Sequence, residues 1–326
     1  MMQQPHVLIL TGEEDVHTDL LIQELDSMGC RWSRLDPGWF PTQVSMSARL
    51  TTHGWGSILH CPNNPPLDLS EITSVWWRRP HMTQAAPHLP ALEREFIETE
   101  ARYGFVGLLR SLPVLWVNHP AENLRASFKP HQLQIASQLG LCVPPSLLTN
   151  DPDEFQRFYQ EHHGQVIYKT LSTPVLMDEG IAVSTYTEVL TSELFQQATQ
   201  VQYTAHLFQR YVDKQFELRI IVIGEKIFAV EIHNQHSELA KVDWRRQYAD
   251  LRYQVHHLSG DVQEKIHQLM KAFRLTYSAI DMAVSPTGEY VFFEINPNGQ
   301  FAFCQEATGL PLFPTLASLL AGIDSP

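Results

Sequence analysis

One strand near the C-terminus carries more chemistry than an apolar strand needs. Residues 290–296 read Tyr-Val-Phe-Phe-Glu-Ile-Asn. Side chains alternate faces along a strand. Tyr290, Phe292, Glu294 and Asn296 therefore share one face, and Val291, Phe293 and Ile295 the other. A carboxylate and an amide thus stand two residues apart on one side of an apolar strand. The preceding run, Ser278–Val284, reads as a second strand and carries Asp281. If Ser285–Gly288 is a four-residue turn, Val284 lies opposite Glu289. Asp281 then lies opposite Phe292 and diagonal to Glu294. Hard oxygen ligands of this kind suit Mg²⁺, which takes one or two carboxylates plus substrate phosphates. The competing reading, polar groups of an edge strand facing water, is weaker because Asp and Glu are rare inside such apolar strands.

A metal held this way implies an anionic substrate, so the cations matter. The chain has 326 residues with 23 Lys and Arg against 36 Asp and Glu, a net charge of −13. Such a charge gives no global attraction to nucleic acid or to an anionic membrane surface. An anion must be held by a few local bases. Lys129 opens a helical segment, Lys169 sits in an apolar strand, and Arg219 follows Glu217 by two residues on one strand face. Each alone reads as a surface charge. Beside a Mg²⁺ patch, together they can hold a triphosphate. Phosphoryl transfer asks a protein mainly for positioning and charge stabilisation.

These residues need a scaffold of several elements. His6–Leu10 is a short apolar run ending in a turn, followed by a helical pattern over 15–28 and a further segment at 31–36. Residues 74–79 and 114–118 read as buried strands, and 91–112 as one long helix with Ile97, Ala101, Leu108 and Leu112 on its inner stripe. A boundary falls near 118. A helix covers 127–140. Another covers 150–164, with Asp151 as N-cap and Pro152 in its first turn. Residues 165–171 form a strand, and 207–233 form three, the last two joined by a tight Gly224-Glu225 turn. An amphipathic helix spans 261–274, with Val262, Ile266, Leu269 and Phe273 aligned, and a terminal helix spans about 311–321. The pattern is α/β followed by α+β, in three parts: 1–118, 119–205 and 206–326.

At this point the motifs resemble a known family. DMAVSPTGEYVFFEINPNGQF looks like the metal-binding end of ATP-grasp ligases. FKPHQLQIASQLGLCVPPSLLTND and FQRYVDKQFELRIIVIGEKIFAVEI resemble the lysine helix, adenine hinge and phosphate-arginine strands of the ribosomal-protein glutamate ligase branch. VDWRRQ resembles its later W-R segment. SVWWRRP, EINPNGQF and ATGLP are similar to the ATP-grasp maturases of ribosomally made peptides, the microviridin and graspetide ligases, with an N-terminal pre-ATP-grasp domain of the MvdD kind. The resemblance implies an ATP-grasp fold, with ATP between the second and third parts, and two Mg²⁺ ions on Asp281, Glu294 and Asn296. It implies that Lys129, Lys169 and Arg219 contact phosphate. Gln209, with the backbone of Tyr211 and Val212, would hold adenine, and Lys214 would reach the ribose. Arg245 or Arg246 would stabilise an acyl phosphate or the incoming carboxylate. The implied partner is a precursor peptide with a leader segment, and a homodimer is compatible with it.

Two other activities compete with peptide crosslinking. One is amino-acid ligation, such as glutamate, to a protein tail or small molecule; the other is nucleotide binding without turnover. The second is disfavoured by the presence of all three metal candidates and both lysines. A metal-dependent hydrolase would not need the lysine and hinge elements. Only one glycine, Gly180, stands in the stretch after Lys169 where many ATP-grasp enzymes carry a glycine-rich loop. The 16 histidines lack HExxH or His–Cys spacing and read as surface residues. Of Arg78 and Arg79, adjacent on a strand, one faces inward. Cys30, Cys61, Cys142 and Cys304 are scattered, which fits a reducing cytoplasm. No signal peptide or membrane-spanning run is expected.

Overall fold

The computed structural model describes residues 4–52, 54–61, 64–172, 175–178, 181–184, 187–234, 242, 244 and 251–323. The chain divides into two compact units.

The first unit comprises residues 1–123, 275–277 and 311–326. Strand β1 (His6–Thr11) is buried along its whole length. Asp15 caps the following helix, α1 (Val16–Ser27), by accepting from the His17 N–H. Strand β2 (Arg31–Leu35) follows. A second sheet is antiparallel: β3 (Ser45–Thr51), β4 (Gly54–His60) and β5 (Leu67–Asp68). Strand β6 (Ser74–Arg79) returns to β1. The predicted long helix is broken. Helix α2 (Ala91–Ala101) gives way to a π turn over Arg102–Val106, then α3 (Gly107–Arg110). The wider turn rotates the faces that follow. The buried positions become Ala101, Phe105 and Leu109 instead of the expected Ala101, Leu108 and Leu112. Strand β7 (Leu115–Val117) completes a parallel sheet ordered β2-β1-β6-β7.

Helix α4 (Pro120–Ala126) leads into the second unit, residues 124–274 and 278–310. Helix α5 (Lys129–Gln138) carries Pro130 in its first turn. A four-stranded sheet combines β8 (Ser146–Thr149), β9 (Val166–Lys169), a short strand over 188–189 and the strand over 206–210. Helix α6 (Pro152–Glu161) packs there, capped by Asp151 as its sequence predicts. Its core is Phe155, Val166, Ala198, Val201 and Phe208. In chain order the remaining strands are β10 (Val175–Asp178), β11 (Ile181–Ser184), β12 (Glu188–Val189), β13 (His206–Arg210), β14 (Phe216–Ile223), β15 (Lys226–His233) and β16 (Arg252–His256). Between β12 and β13 lies the short helix α7 (Ser192–Gln196).

Helix α8 (Gly260–Phe273) buries Val262, Ile266, Leu269, Met270 and Phe273, the expected stripe plus Met270. Strands β17 (Tyr277–Val284) and β18 (Tyr290–Asn296) close a five-stranded sheet ordered β16-β15-β14-β17-β18. Helix α9 (Ala302–Thr308) follows. Helix α10 (Leu312–Leu320) returns to the first unit and packs on α1 and β6. There the Ser74 hydroxyl donates to the Leu320 carbonyl at 2.7 Å. Asn118 ties residues 275–277 to the same unit. Its Oδ1 accepts from the Thr276 and Tyr277 N–H groups, both at 2.8 Å.

Candidate functional site

The β17–β18 hairpin sets the site, and its register differs from the expected one. The connection is five residues long, with Val284 opposite Tyr290. The ladder then shifts between Asp281 and Met282, so Phe293 is an extra, bulged residue and Asp281 faces Glu294 directly. A bulge resets the alternation of faces. Phe292 is fully buried, while Phe293 joins Glu294 in a cleft. Expected Phe292–Glu294 face-sharing is thereby corrected, and the two carboxylates come closer than a regular hairpin would bring them.

One amide holds them together. Asn296 Nδ2 donates to Asp281 Oδ2 at 2.9 Å and to Glu294 Oε1 at 3.1 Å. Each carboxylate also has its own cation. Arg219 Nη1 donates to both Asp281 oxygens, at 2.8 and 2.9 Å, and Lys129 pairs with Glu294. Arg219 is aimed by a third contact, Nη2 to the Gln300 carbonyl at 2.7 Å. That contact needs Gly299. A Cβ there would lie 2.6 Å from Arg219 Nη2 and 2.4 Å from the Ala279 Cβ. The glycine of the NPNGQ segment thus has a local physical reason.

Lys129 is positioned through Gln132, one turn further along α5. The buried Gln132 amide donates to the Ala126 and Ile295 carbonyls at 2.6 and 3.0 Å and accepts from the Ile295 N–H at 3.1 Å. This braces α5 against the residue beside Glu294. A neutral amide can hold helix and strand in register without disturbing the charges nearby.

Lys169 ends β9 and points at the Phe293 ring, its Nζ 4.5 Å from the centroid. Enclosure pushes its pKa down from 10.5 to about 8. Lys129 and Lys214 push the same way, and Glu294 and Glu217 oppose them. Lys214 is nearly buried. It pairs with Glu217 Oε1 at 2.8 Å and lies 5.6 Å from the Phe293 centroid. Asn234 Nδ2 donates to the same Glu217 oxygen at 2.7 Å.

Lys129, Lys169, Tyr211, Val212, Lys214, Asp281 and Glu294 all line one cleft, within the second unit. Arg219 and Asn296 reach it through Asp281. Gln209 does not line it. That side chain is buried in β13, its Nε2 donates to Ser146 Oγ at 2.9 Å, and its Oε1 is buried without a hydrogen bond. The Tyr211 N–H is taken by the Gln165 carbonyl at 2.8 Å. Arg245 and Arg246 lie outside the described residues.

Sequence reasoning missed Glu217, Phe293 and Trp244 as lining residues. For Glu217 a signal was present: it stands two residues before Arg219 on one strand face. Phe293 became visible only through the bulge. Trp244 is buried, its ring 5.2 Å from that of Phe303, which is 5.6 Å from Tyr253. Cys304 offers no reactive thiol, since burial pushes it up to about 12.

The donor set fits Mg²⁺ better than a metal that needs an all-protein cage. Among the described residues no cluster of three His, Cys, Asp or Glu side chains could hold an ion. Two carboxylates joined by one amide leave most coordination positions to water and phosphate oxygen, as Mg²⁺ prefers.

Residues 6–123 match the family model of the MvdD pre-ATP-grasp domain. The macrocyclase MdnC of Microcystis aeruginosa MRC, solved bound with its precursor peptide MdnA, is 30% identical over 97% of this chain and 99% of that one, with a TM-score of 0.85. The chain belongs to the ATP-grasp ligases of ribosomally made peptides. Its fold is the ATP-grasp fold, preceded by a pre-ATP-grasp α/β domain. A RiPP-associated ATP-grasp ligase of Chryseobacterium gregarium, solved with ADP and a leader and core peptide, is 28% identical over 99% of this chain and 98% of that one, at a TM-score of 0.90. The macrocyclase MdnB of the same Microcystis strain is 27% identical over 97% and 99%, at a TM-score of 0.80. No curated protein matches by sequence. No helix among the described residues is long and apolar enough to cross a membrane.

Proposed function

We propose that the protein uses ATP to close ester or amide crosslinks between side chains of a ribosomally made precursor peptide. The observation that carries this reading is the convergence of three lysines and Arg219 with Asp281, Glu294 and Asn296 on one cleft. An Asp or Glu side chain of the peptide attacks the γ-phosphorus of ATP, releasing ADP and forming an acyl phosphate. A Ser or Thr hydroxyl, or a Lys amine, of the same peptide then attacks the acyl carbon. Phosphate leaves, the nucleophile loses its proton, and one ring is closed per ATP.

The residues divide the work. Lys129, Lys169 and Arg219 hold the phosphates in line. Asp281, Glu294 and Asn296 would hold two Mg²⁺ ions, which supply positive charge to the transferring phosphoryl group. With the Tyr211 N–H engaged, the adenine edge falls to the Tyr211 carbonyl and the Val212 backbone, and Gln209 Oε1 is a buried acceptor nearby in sequence. Lys214, held by Glu217, is directed toward the ribose. Arg245 and Arg246 are assigned to the acyl phosphate. No protein nucleophile is needed.

The reading extends to a three-part division at 1–118, 119–205 and 206–326, a leader segment as the docking portion of the peptide, a homodimer, and a cytoplasmic setting. The four cysteines are unbridged, which supports the last of these.

The test is incubation with Mg-ATP and the precursor peptide encoded nearby. Mass spectrometry should show loss of one water per bond, and fragmentation should place the linkage. Glu294→Gln and Asp281→Asn should abolish the product. Retained turnover in either variant would sink the metal assignment. Turnover with free amino acids and no change in any acidic peptide would favour an amino-acid ligase instead.

A further inference from the structure

The five-stranded sheet of the second unit is tied edge to edge by side chains that the cleft does not use. Strands β16 and β18 are its two outermost strands. Yet His256 of β16 reaches Tyr290 of β18, with His256 Nε2 2.8 Å from the Tyr290 hydroxyl. His256 Nδ1 lies 2.7 Å from Glu231 Oε1, and His233 Nε2 lies 2.7 Å from Glu231 Oε2. A carboxylate can only accept, so His256 Nδ1 carries a proton, and Nε2 of the neutral ring accepts from the phenol. Burial and the Glu231 charge push the Tyr290 pKa up, which keeps that donor protonated. The Phe216 ring, 5.3 Å from His233 and 5.7 Å from His256, walls the group.

This tie bears on the bulge at Phe293. The two ends of the β17–β18 ladder differ in register by one residue: Val284 faces Tyr290, whereas Asp281 faces Glu294. Each end has its own anchor. The far end is held by the Gln132 amide on Ile295 and by Asn296 on both carboxylates. The near end is held by Tyr290. Regular alternation from Asn296 backward would turn Tyr290 to the Asp281 face, away from His256. Regular alternation from Tyr290 forward would put Glu294 on the buried Phe292 face, away from Asp281. Both anchors are satisfied only if one residue is left over between them. That residue is Phe293, and its ring centroid stands 4.5 Å from Lys169 Nζ and 5.6 Å from Lys214 Nζ.

We infer that Tyr290, His256 and Glu231 are positioning residues for nucleotide binding: their tie forces the bulge that sets the Phe293 ring against Lys169 and Lys214. The inference rests on the reading of this cleft as a nucleotide site and adds to it residues outside the cleft lining. A ring face beside two ammonium groups stabilises their charge, and phosphate binding needs that charge. Without the tie the leftover residue can move along β18, and the ring leaves the lysines.

Isothermal titration of the full-length protein with Mg-ADP tests it. Phe293→Leu should weaken binding about two- to fivefold, as expected for loss of a cation–π contact. Tyr290→Phe, which removes one hydroxyl, should weaken it to a similar extent, and so should His256→Leu. The double variants Y290F/F293L and Y290F/H256L should bind no more weakly than the weaker single variant of each pair, because all three changes act on one ring. Gln254→Ala, exposed on the same face of β16 and outside the tie, should bind like wild type. Circular dichroism should show each variant folded. Effects that multiply in the double variants, the result of independent roles, overturn the inference. Unchanged affinity in Tyr290→Phe or in Phe293→Leu overturns it as well. A wild type that binds no Mg-ADP overturns the nucleotide reading and the inference with it. Nucleotide binding with the expected pattern but no peptide crosslinking overturns the activity and leaves the inference standing.

Discussion

Lys169 should take up a proton when a nucleotide arrives. In the ligand-free cleft it titrates near 8, because enclosure and the neighbouring Lys129 and Lys214 disfavour its charge more than Glu294 and Glu217 favour it. Phosphate oxygens reverse that balance. At pH 8.5 a group with this pKa is about three-quarters neutral, so binding should draw roughly 0.7 proton from solution, against about 0.1 at pH 7. If only the protonated form binds well, nucleotide affinity should fall about tenfold between pH 7 and 9. Isothermal titration with Mg-ADP in two buffers of different ionisation enthalpy measures both quantities. Lys169→Arg, which cannot deprotonate, should flatten the profile. The stability of the empty protein should move the other way. Between about pH 8 and 10.5 the unfolded chain binds more protons than the folded one, so unfolding becomes harder by up to about 3 kcal/mol as pH rises through that window. Flat wild-type affinity from pH 7 to 9 with buffer-independent heats would refute the reasoning.

The remaining expectations concern the same cluster. Arg219→Met leaves the Asp281 carboxylate without its guanidinium at a largely buried site, and denaturant unfolding should show a loss of about 3–5 kcal/mol; a change below about 1 kcal/mol would mean that water already screens the pair. Gly299→Ala places a methyl group within 2.6 Å of Arg219 Nη2, so nucleotide turnover should collapse while Gly260→Ala, at the start of α8 with open space around it, should leave turnover intact. Equal effects of the two would argue against the close-approach account. Phe293→Leu removes the ring beneath Lys169, worth about 1 kcal/mol to its charged form. The midpoint of the affinity–pH profile should move to lower pH, and an unmoved midpoint would remove the ring from the argument.

Much of the site was legible because a carboxylate and an amide inside an apolar strand conflict with its burial, and such a conflict marks function. Glu294, Asn296 and Asp281 were found that way, and the structure places all three within reach of one another. Their register was not legible. The turn is one residue longer than a four-residue loop and the ladder skips Phe293, and period-two alternation has no place for an inserted residue. The same limit applies to α2, where one π turn moved the buried stripe from Leu108 to Leu109. Asp151 and α6 were read correctly because a cap is a local contact between residues two apart. The small sheet of β3, β4 and β5 escaped notice although β3, Ser-Met-Ser-Ala-Arg-Leu-Thr, alternates polar and apolar residues; β4, with two glycines and little burial, carries no such mark. Gln209 is a different case: its type suits a ligand, and that its strand face turns the side chain into the interior could not be read from its segment alone.

The ion pairs of the cleft have a consequence for how the site responds to salt. Among the described residues Lys129, Lys169, Arg210, Lys214 and Arg219 stand against Asp281, Glu294 and Glu217, five cations against three carboxylates. The side chains of the cleft thus carry a small positive excess. An ATP tetra-anion arriving with two divalent ions carries no net charge of its own. Binding it therefore transfers little net charge into the cleft. Ionic strength acts on net charge and on long-range fields. Affinity for the metal-loaded nucleotide should therefore change little with added salt, whereas a nucleotide stripped of its metal should bind weakly and with a steep salt dependence.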